Sequence, residues 1–409
     1  MREVYKKSID GAVNKLLVHA YRQGMQVAWD RAEALQPQCG FGSLALCCRD
    51  CAAGPCRVNP FAAEPMATIC GRDRNHLILH NFNHQVAQGV AALAGLASYF
   101  GAPVDQDTWR TINVGTDTMV WNDYKARFAE LGRAAMKLLQ AIQAEKNRVL
   151  GPGQPAVITA NMGALRADFP NIVLHGHVPP LTAALICQAA KEANANVAAL
   201  TGNEISGPLM LPPVSNYDSQ ELVLLTGVVD VMVVGTQCVM PATLALAAKM
   251  GTNIVPAGSV TTAAEAAAVA AAAQKAFDGR RGKAVNIPEQ SATVYAGYSA
   301  ANSPQLIAAL KEGYRQGRIR GLVYLGGCGN IDATQDADFV AVAKALLAQG
   351  YVVATTGCAG TALAKAGLCT PANGEVVSEL KACLPADIPA VLYLGACHDA
   401  ATFIEMVQA

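Results

Sequence analysis

Six cysteines crowd into residues 39–70, at Cys39, Cys47, Cys48, Cys51, Cys56 and Cys70, and no other feature of the chain restricts its folding as strongly. A four-iron cluster needs four thiolates converging from a tight loop, and CCRDCAAGPCRVNPF followed by the cysteine of TICGRD supplies them. Gly54, Pro55 and Gly71 give the backbone the turns that such wrapping requires. Cys48, Cys51, Cys56 and Cys70, separated by two, four and thirteen residues, make one complete ligand set. Cys39 and Cys47 are left over, and two thiolates complete a cluster only when a two-fold axis brings the same pair from a second chain. The spacing therefore predicts a homodimer, with two ordinary free thiols as the alternative. Zinc prefers separated Cys pairs, which the adjacent Cys47 and Cys48 fit poorly. Disulfides suit small secreted domains, not a 409-residue chain with no evident signal peptide.

Charge and hydropathy narrow the class further. Lys plus Arg and Asp plus Glu are each 31, so nothing in the net charge attracts nucleic acid or an anionic membrane. The apolar stretches are cut by Gly, Asp or Pro, as in VVDVMVVGTQCVMPATLALAA, and none reads as a membrane span. Many thiols in a chain of this kind predict a reducing, cytoplasmic setting and an anaerobic host.

Periodicity divides the chain in three. Residues 1–150 carry helical patterns, AVNKLLVHAYRQGMQVAWDRAEAL and YKARFAELGRAAMKLLQAIQAEK, interrupted by the cysteine loop. After the turn chemistry of LGPGQP, buried strand runs alternate with Ala-rich helices: AVITA, NIVLHGH, ANVAAL, VDVMVVG and NIVPAG over 151–278, then ATVYAG, GLVYLGG, YVVATTG and AVLYLGA over 279–409. The alternation predicts an α/β protein with an all-α N-terminal domain and two doubly wound, Rossmann-like parallel-sheet domains.

The remaining metal-type residues follow strand ends. His177 follows NIVLHG, Cys238 follows VDVMVVGTQ, Cys328 follows GLVYLGG, Cys358 follows YVVATTG and Cys397 follows AVLYLGA. Ligands of open α/β sheets bind beyond the carboxyl ends of the strands, so these five donors, drawn from two domains, are expected to converge on one interdomain pocket that binds a small-molecule substrate. Cys187, Cys369 and Cys383 lack this placement and read as packing residues.

These residues carry a family resemblance. CGFGSLALCCRDCAAGPCRVNPF with ICGRD, then NIVLHGHVP, TGNE, SQELVLLTGVVDVMVVGTQCVMP, GGCGN, ATTGCAGTALAKAGL and LGACHD span nearly the whole chain and are highly specific. The chain resembles the nickel–iron carbon monoxide dehydrogenases of anaerobes and, more distantly, the hybrid-cluster proteins that share their scaffold. The resemblance implies an oxidoreductase in which Cys48, Cys51, Cys56 and Cys70 bind a [4Fe-4S] relay cluster. Cys39 and Cys47 would bind a [4Fe-4S] or [2Fe-2S] cluster shared across the dimer axis. His177, rather than His175, would join Cys238, Cys328, Cys358 and Cys397 on the catalytic cluster, with a ferredoxin-like carrier as electron partner.

Three departures from the family change the expected chemistry. Leu200 stands where the family has a cysteine immediately before TGNE, Leu93 stands where it has a histidine, and a lysine beyond the last cluster cysteine is not found before Ala409. Acid–base groups around a cluster deliver protons, so their loss argues against interconversion of carbon monoxide and carbon dioxide. Glu204 lies where hybrid-cluster proteins use a glutamate ligand, and its carboxylate favours iron in an oxygen-containing environment over nickel. As a purely structural residue, Glu204 would start a helix and bond to its backbone. The expectation is a modified Fe–S–O active cluster, with nickel substoichiometric or absent, His177 and Glu204 at the catalytic centre, and reduction of a small nitrogen–oxygen substrate such as hydroxylamine. A minimal carbon monoxide dehydrogenase and a redox sensor without turnover are the alternatives.

Overall fold

The computed structural model describes residues 6–112, 123–203 and 209–409. Two compact units divide the chain: residues 33–144 form one, and residues 1–32 with 145–409 form the other.

The 33–144 unit is helical apart from one small hairpin, in which β1 (Cys47–Cys48) pairs antiparallel with β2 (Cys56–Arg57). Its long helix Arg74–Phe100 begins at an Asp73 cap, whose carboxylate accepts from the His76 amide, and ends at Gly101 in the left-handed region. Ala87, Val90, Ala94 and Ala97 of this helix pack with Leu131, Leu138 and Ile142 of helix Tyr124–Leu150 in a single apolar core. The small residues on the first helix match the bulkier ones on the second.

In the larger unit the strands are β3 (Ala156–Ala160), β4 (Asn171–His175), β5 (Asn196–Leu200), β6 (Pro213–Ser215), β7 (Val231–Val234), β8 (Asn253–Pro256), β9 (Ala292–Ala296), β10 (Gly321–Leu325), β11 (Tyr351–Thr356) and β12 (Val391–Gly395). They form two five-stranded sheets, ordered β6-β5-β4-β7-β8 and β10-β11-β12-β9-β3. The first sheet is parallel throughout and doubly wound. Ile172 and Leu174 of β4 enter one core with Val231 and Val233 of β7, whereas Val173 and Met232 enter the core on the opposite face. The period of two thus buries both faces, which is why these strands read as continuous apolar runs. Helices Pro180–Glu192 and Ala263–Arg280 cover one face, the second starting at a Thr262–Glu265 capping box. The other face receives helix Gly11–Arg22 through Ala12, Val13, Leu16, Leu17 and Ala20.

Three local features differ from the sequence expectation. The AVITA strand, expected in the same sheet as NIVLHGH, is instead the antiparallel edge of the other sheet, paired with β9 from Ala156↔Ala296 to Ala160↔Ala292. The first helical pattern is broken into Gly11–Arg22 and Ala28–Ala34 around Gly24, whose φ of +64° no helix accommodates. A three-residue strand, β6, pairs with β5 where no strand was expected. No helix among the described residues is long and apolar enough to cross a membrane.

Candidate metal centre

Four of the N-terminal thiols, Cys47, Cys48, Cys51 and Cys56, lie on the hairpin of the smaller unit. Its register sets Cys48 directly opposite Cys56. At the tip, a Cβ on Gly54 would lie 3.1 Å from the Cys48 carbonyl and 3.3 Å from that of Cys51, so this turn closes tightly over its own cysteines. Cys70 lies 3.3 Å from the Thr68 hydroxyl and accepts from the Arg72 guanidinium at 3.6 Å. The Thr68 bond first, then the Arg72 charge, holds the Cys70 thiol below its ordinary range, which favours the thiolate a cluster requires. Cys39 is exposed, and its thiol is held low by the Gly42 and Phe41 amides. Burial pushes the Cys48 thiol up.

Two histidines that the sequence reading did not single out brace this loop. His80 bonds to one Asp50 carboxylate oxygen, and His84 lies 3.3 Å from the other. Cys48 Sγ, an Asp50 oxygen and a His80 nitrogen all lie within 4.8 Å of one another. The i, i+4 spacing of His80 and His84 on helix Arg74–Phe100 was the available signal. Leu93, farther along that helix, packs against the apolar core.

The second constellation lies in the larger unit. His177 Nε2 is 3.8 Å from Cys238 Sγ and 3.6 Å from Cys397 Sγ. The Cys358 thiol donates to Cys328, holding it down to about 6 against the opposing effects of burial and the Asp218 charge, and the His177 charge also acts on it. The five expected donors therefore come together from both sheets. Cys328 and Cys397 are exposed, Cys238 is half-buried, and Cys358 and His177 are buried. Both ring nitrogens of His175 are engaged elsewhere, by the Leu200 carbonyl and Thr201 on one side and by Gln220 on the other.

The backbone of this site is built for close approach. His177 and Thr236 form an isolated antiparallel bridge, with N···O distances of 2.7 and 3.1 Å, joining the loops after β4 and β7. Asn203 of TGNE clamps the same loop: its carbonyl accepts from the Val178 amide at 3.1 Å and its amide donates to the Gly176 carbonyl. Gln237 and Cys238 both take left-handed backbone, at φ +60° and +57°, a cost met at sites where a side chain must be aimed. A Cβ on Gly235 would lie 2.1 Å from the His177 carbonyl oxygen. Gly235→Ala is accordingly expected to lower the unfolding free energy by about 3 kcal/mol, read by urea denaturation, and an unchanged midpoint would contradict this packing.

The donor set fits an iron–sulfur group. Four thiols and one imidazole converge, and His177 Nδ1 and Asp218 Oδ2 are buried with no hydrogen-bond partner among the described residues. Burial and then the nearby Asp336 push Asp218 up to about 6. Tyr217 stands among the same groups, its phenol pushed up by burial and by the charges of Cys238, Cys328, Asp218 and Cys358. Asp218 went unnoticed in the sequence because NYD precedes the family-like SQEL stretch without any metal-type spacing. Leu200 is wholly buried in the core beneath the sheet. Glu204 lies outside the described residues. Cys187 and Cys369 sit at or in apolar cores, where burial pushes both thiols up, Cys187 to about 12. Cys383 packs at the edge of such a core.

Residues 107–409 match the Prismane/CO dehydrogenase family. Carbon monoxide dehydrogenase 2 of Carboxydothermus hydrogenoformans is 30% identical, the match covering 98% of this chain and 84% of that protein. The carbon monoxide dehydrogenase of Rhodospirillum rubrum is 26% identical over 98% of this chain and 84% of its own. Among solved structures, Carbon Monoxide Dehydrogenase IV from Carboxydothermus hydrogenoformans superposes with a TM-score of 0.87 at 27% identity, covering 98% of this chain and 84% of that one.

Proposed function

From the premise that the chain belongs to the Prismane/CO dehydrogenase family, and is an iron–sulfur oxidoreductase, we propose that it carries a hybrid-type active cluster and reduces hydroxylamine or a similar small nitrogen–oxygen compound. The observation that carries this reading is Leu200: an apolar side chain with no exposed surface occupies the position where the family resemblance calls for a thiol. His177, Cys238, Cys328, Cys358 and Cys397 would hold the cluster, with Glu204 as an oxygen ligand. Cys48, Cys51, Cys56 and Cys70 would hold the relay cluster. When bound, the active group supplies electrons and a Lewis-acidic iron to the N–O bond.

The chain's own residues prepare that chemistry. The Cys358 hydrogen bond lowers the Cys328 thiol and so favours its thiolate. The Thr236 bridge and the Asn203 clamp fix the loop from which His177 points. Converting hydroxylamine to ammonia and water breaks the N–O bond and consumes two electrons and two protons. A ferredoxin-like carrier would deliver the electrons through the N-terminal clusters. Hydroxylamine-dependent oxidation of a reduced viologen dye by anaerobically purified protein is the direct test, and absence of turnover would count against the reading. The comparisons favour a second reading, a true carbon monoxide dehydrogenase, because the relatives named above bear that name across nearly the whole chain.

We also propose a cytoplasmic homodimer and a cluster bridged by Cys39 and Cys47 of two chains. One shared, two relay and two active four-iron clusters give about 10 Fe per chain. In sedimentation, the Cys39→Ala, Cys47→Ala double variant is expected to lose about 2 of those Fe and to dissociate at least tenfold more readily. A wild type that sediments as a monomer with full iron would rule the shared cluster out.

A further inference from the structure

We propose that Asp218 is a carboxylate ligand of the active cluster; the inference rests on the site reading above and adds a donor to it. Placement is the first argument. His177 lies two residues beyond the end of β4, Cys238 four beyond β7, Cys328 three beyond β10, Cys358 two beyond β11 and Cys397 two beyond β12. Asp218 lies three residues beyond the end of β6, in the same relation to its strand. β6 is also the direct neighbour of β5, with Ser215 in register with Leu200. Asp218 thus emerges beside the strand whose end lacks the thiol.

Its carboxylate lies against the residue that follows Cys328. A Cβ built on Gly329, the residue after Cys328, would lie 1.8 Å from Asp218 Oδ2, so the carboxylate occupies the space that any side chain at position 329 would take. The Asp218 charge acts on Cys328 and on Tyr217.

Its charge is met only in part by the protein, through the more distant Lys365 ammonium. Asp218 is 2% exposed, and Oδ2 has no hydrogen-bond partner among the described residues. The nearby cation, Lys365, is held by Asp336 at 2.7 Å and Asp10 at 3.1 Å, and no ion pair joins it to Asp218 among the described residues. Three buried carboxylates around one ammonium leave excess negative charge in a desolvated site. A cluster iron resolves this, since a carboxylate oxygen is a suitable ligand for it and removes the cost of burying the anion.

The test compares wild type with Asp218→Asn, Asp218→Glu and Glu204→Ala, each prepared anaerobically and reconstituted with 57Fe and sulfide. Mössbauer spectroscopy reads the oxygen-coordinated iron, and thermal melting is recorded on the iron-free proteins. Asp218→Asn is expected to lose at least fivefold of the oxygen-coordinated iron, with the N-terminal cluster signals unchanged. Without iron the same variant is expected to melt at or above the wild-type temperature, because the isosteric amide removes an uncompensated charge. Asp218→Glu is expected to recover part of the signal. Unchanged Mössbauer parameters in a folded Asp218→Asn, or loss of that iron only in Glu204→Ala, overturns the assignment of Asp218. A wild type that holds no iron beyond the N-terminal clusters overturns the site reading itself, and that outcome is visible before any variant is made.

Discussion

Replacing Cys397 by serine is expected to lower turnover at least about 100-fold and to remove the active-site iron, while the signals of the N-terminal clusters persist. Cys397 comes from the sheet that also carries Cys328 and Cys358, yet its sulfur lies 3.6 Å from the imidazole of His177 on the other sheet. It is therefore a donor at which the two sheets meet, and serine keeps its size while removing the soft thiolate that iron in a sulfur cage prefers. The preceding ring of contacts should survive, since a Cβ on Gly357 would already stand 3.0 Å from the Cys397 Cβ and serine keeps that atom in place. Iron analysis with electron paramagnetic resonance checks both halves of the result. Full retention of active-site iron in the variant would falsify the assignment of Cys397 as a ligand.

Nickel is expected below about 0.1 per chain, and carbon monoxide oxidation is expected to run about 10²- to 10⁴-fold below the same reaction in an enzyme that keeps the acid–base group. The range is that of a missing positioned acid–base group: Leu93, where the resemblance leads one to expect a histidine, packs on an apolar core and can move no proton. Leu200, wholly buried, likewise offers no sulfur to a nickel corner. Metal analysis and carbon monoxide-dependent dye reduction, on one anaerobic preparation, measure both quantities. Stoichiometric nickel together with rapid carbon monoxide oxidation would return the chain to the chemistry named for its relatives.

The parallel strands were legible because burial on both faces writes itself as an unbroken apolar run, as in NIVLH and YVVATT. The convergence of His177, Cys238, Cys328, Cys358 and Cys397 followed from the same reading, since strand ends of open sheets share an edge. Pairing order was less legible. AVITA has the composition of any other strand here, and only the three-dimensional neighbours decide that it runs antiparallel beside β9. β6 is three residues long and begins with proline, so no local period announces it, and Asp218 was lost along with the strand that presents it. Asp50 is separated by 30 or more residues from His80 and His84, across the loop and into the following helix, a spacing that only the folded hairpin turns into contact.

The two metal regions differ in when a growing polypeptide can complete them. Cys39 to Cys70 are all present once the first fifth of the chain has been made. His177 and Cys397 are 220 residues apart, and no subset of residues made earlier contains the whole donor set. Because chains fold from the amino end during synthesis, the thiols proposed to hold the relay cluster could be filled while the ribosome is still working, whereas the proposed active cluster would have to wait for the last strand to dock. On the proposed assignment, biogenesis would have a built-in order, in which a conduit for electrons is assembled before there is a catalytic centre for them to reach.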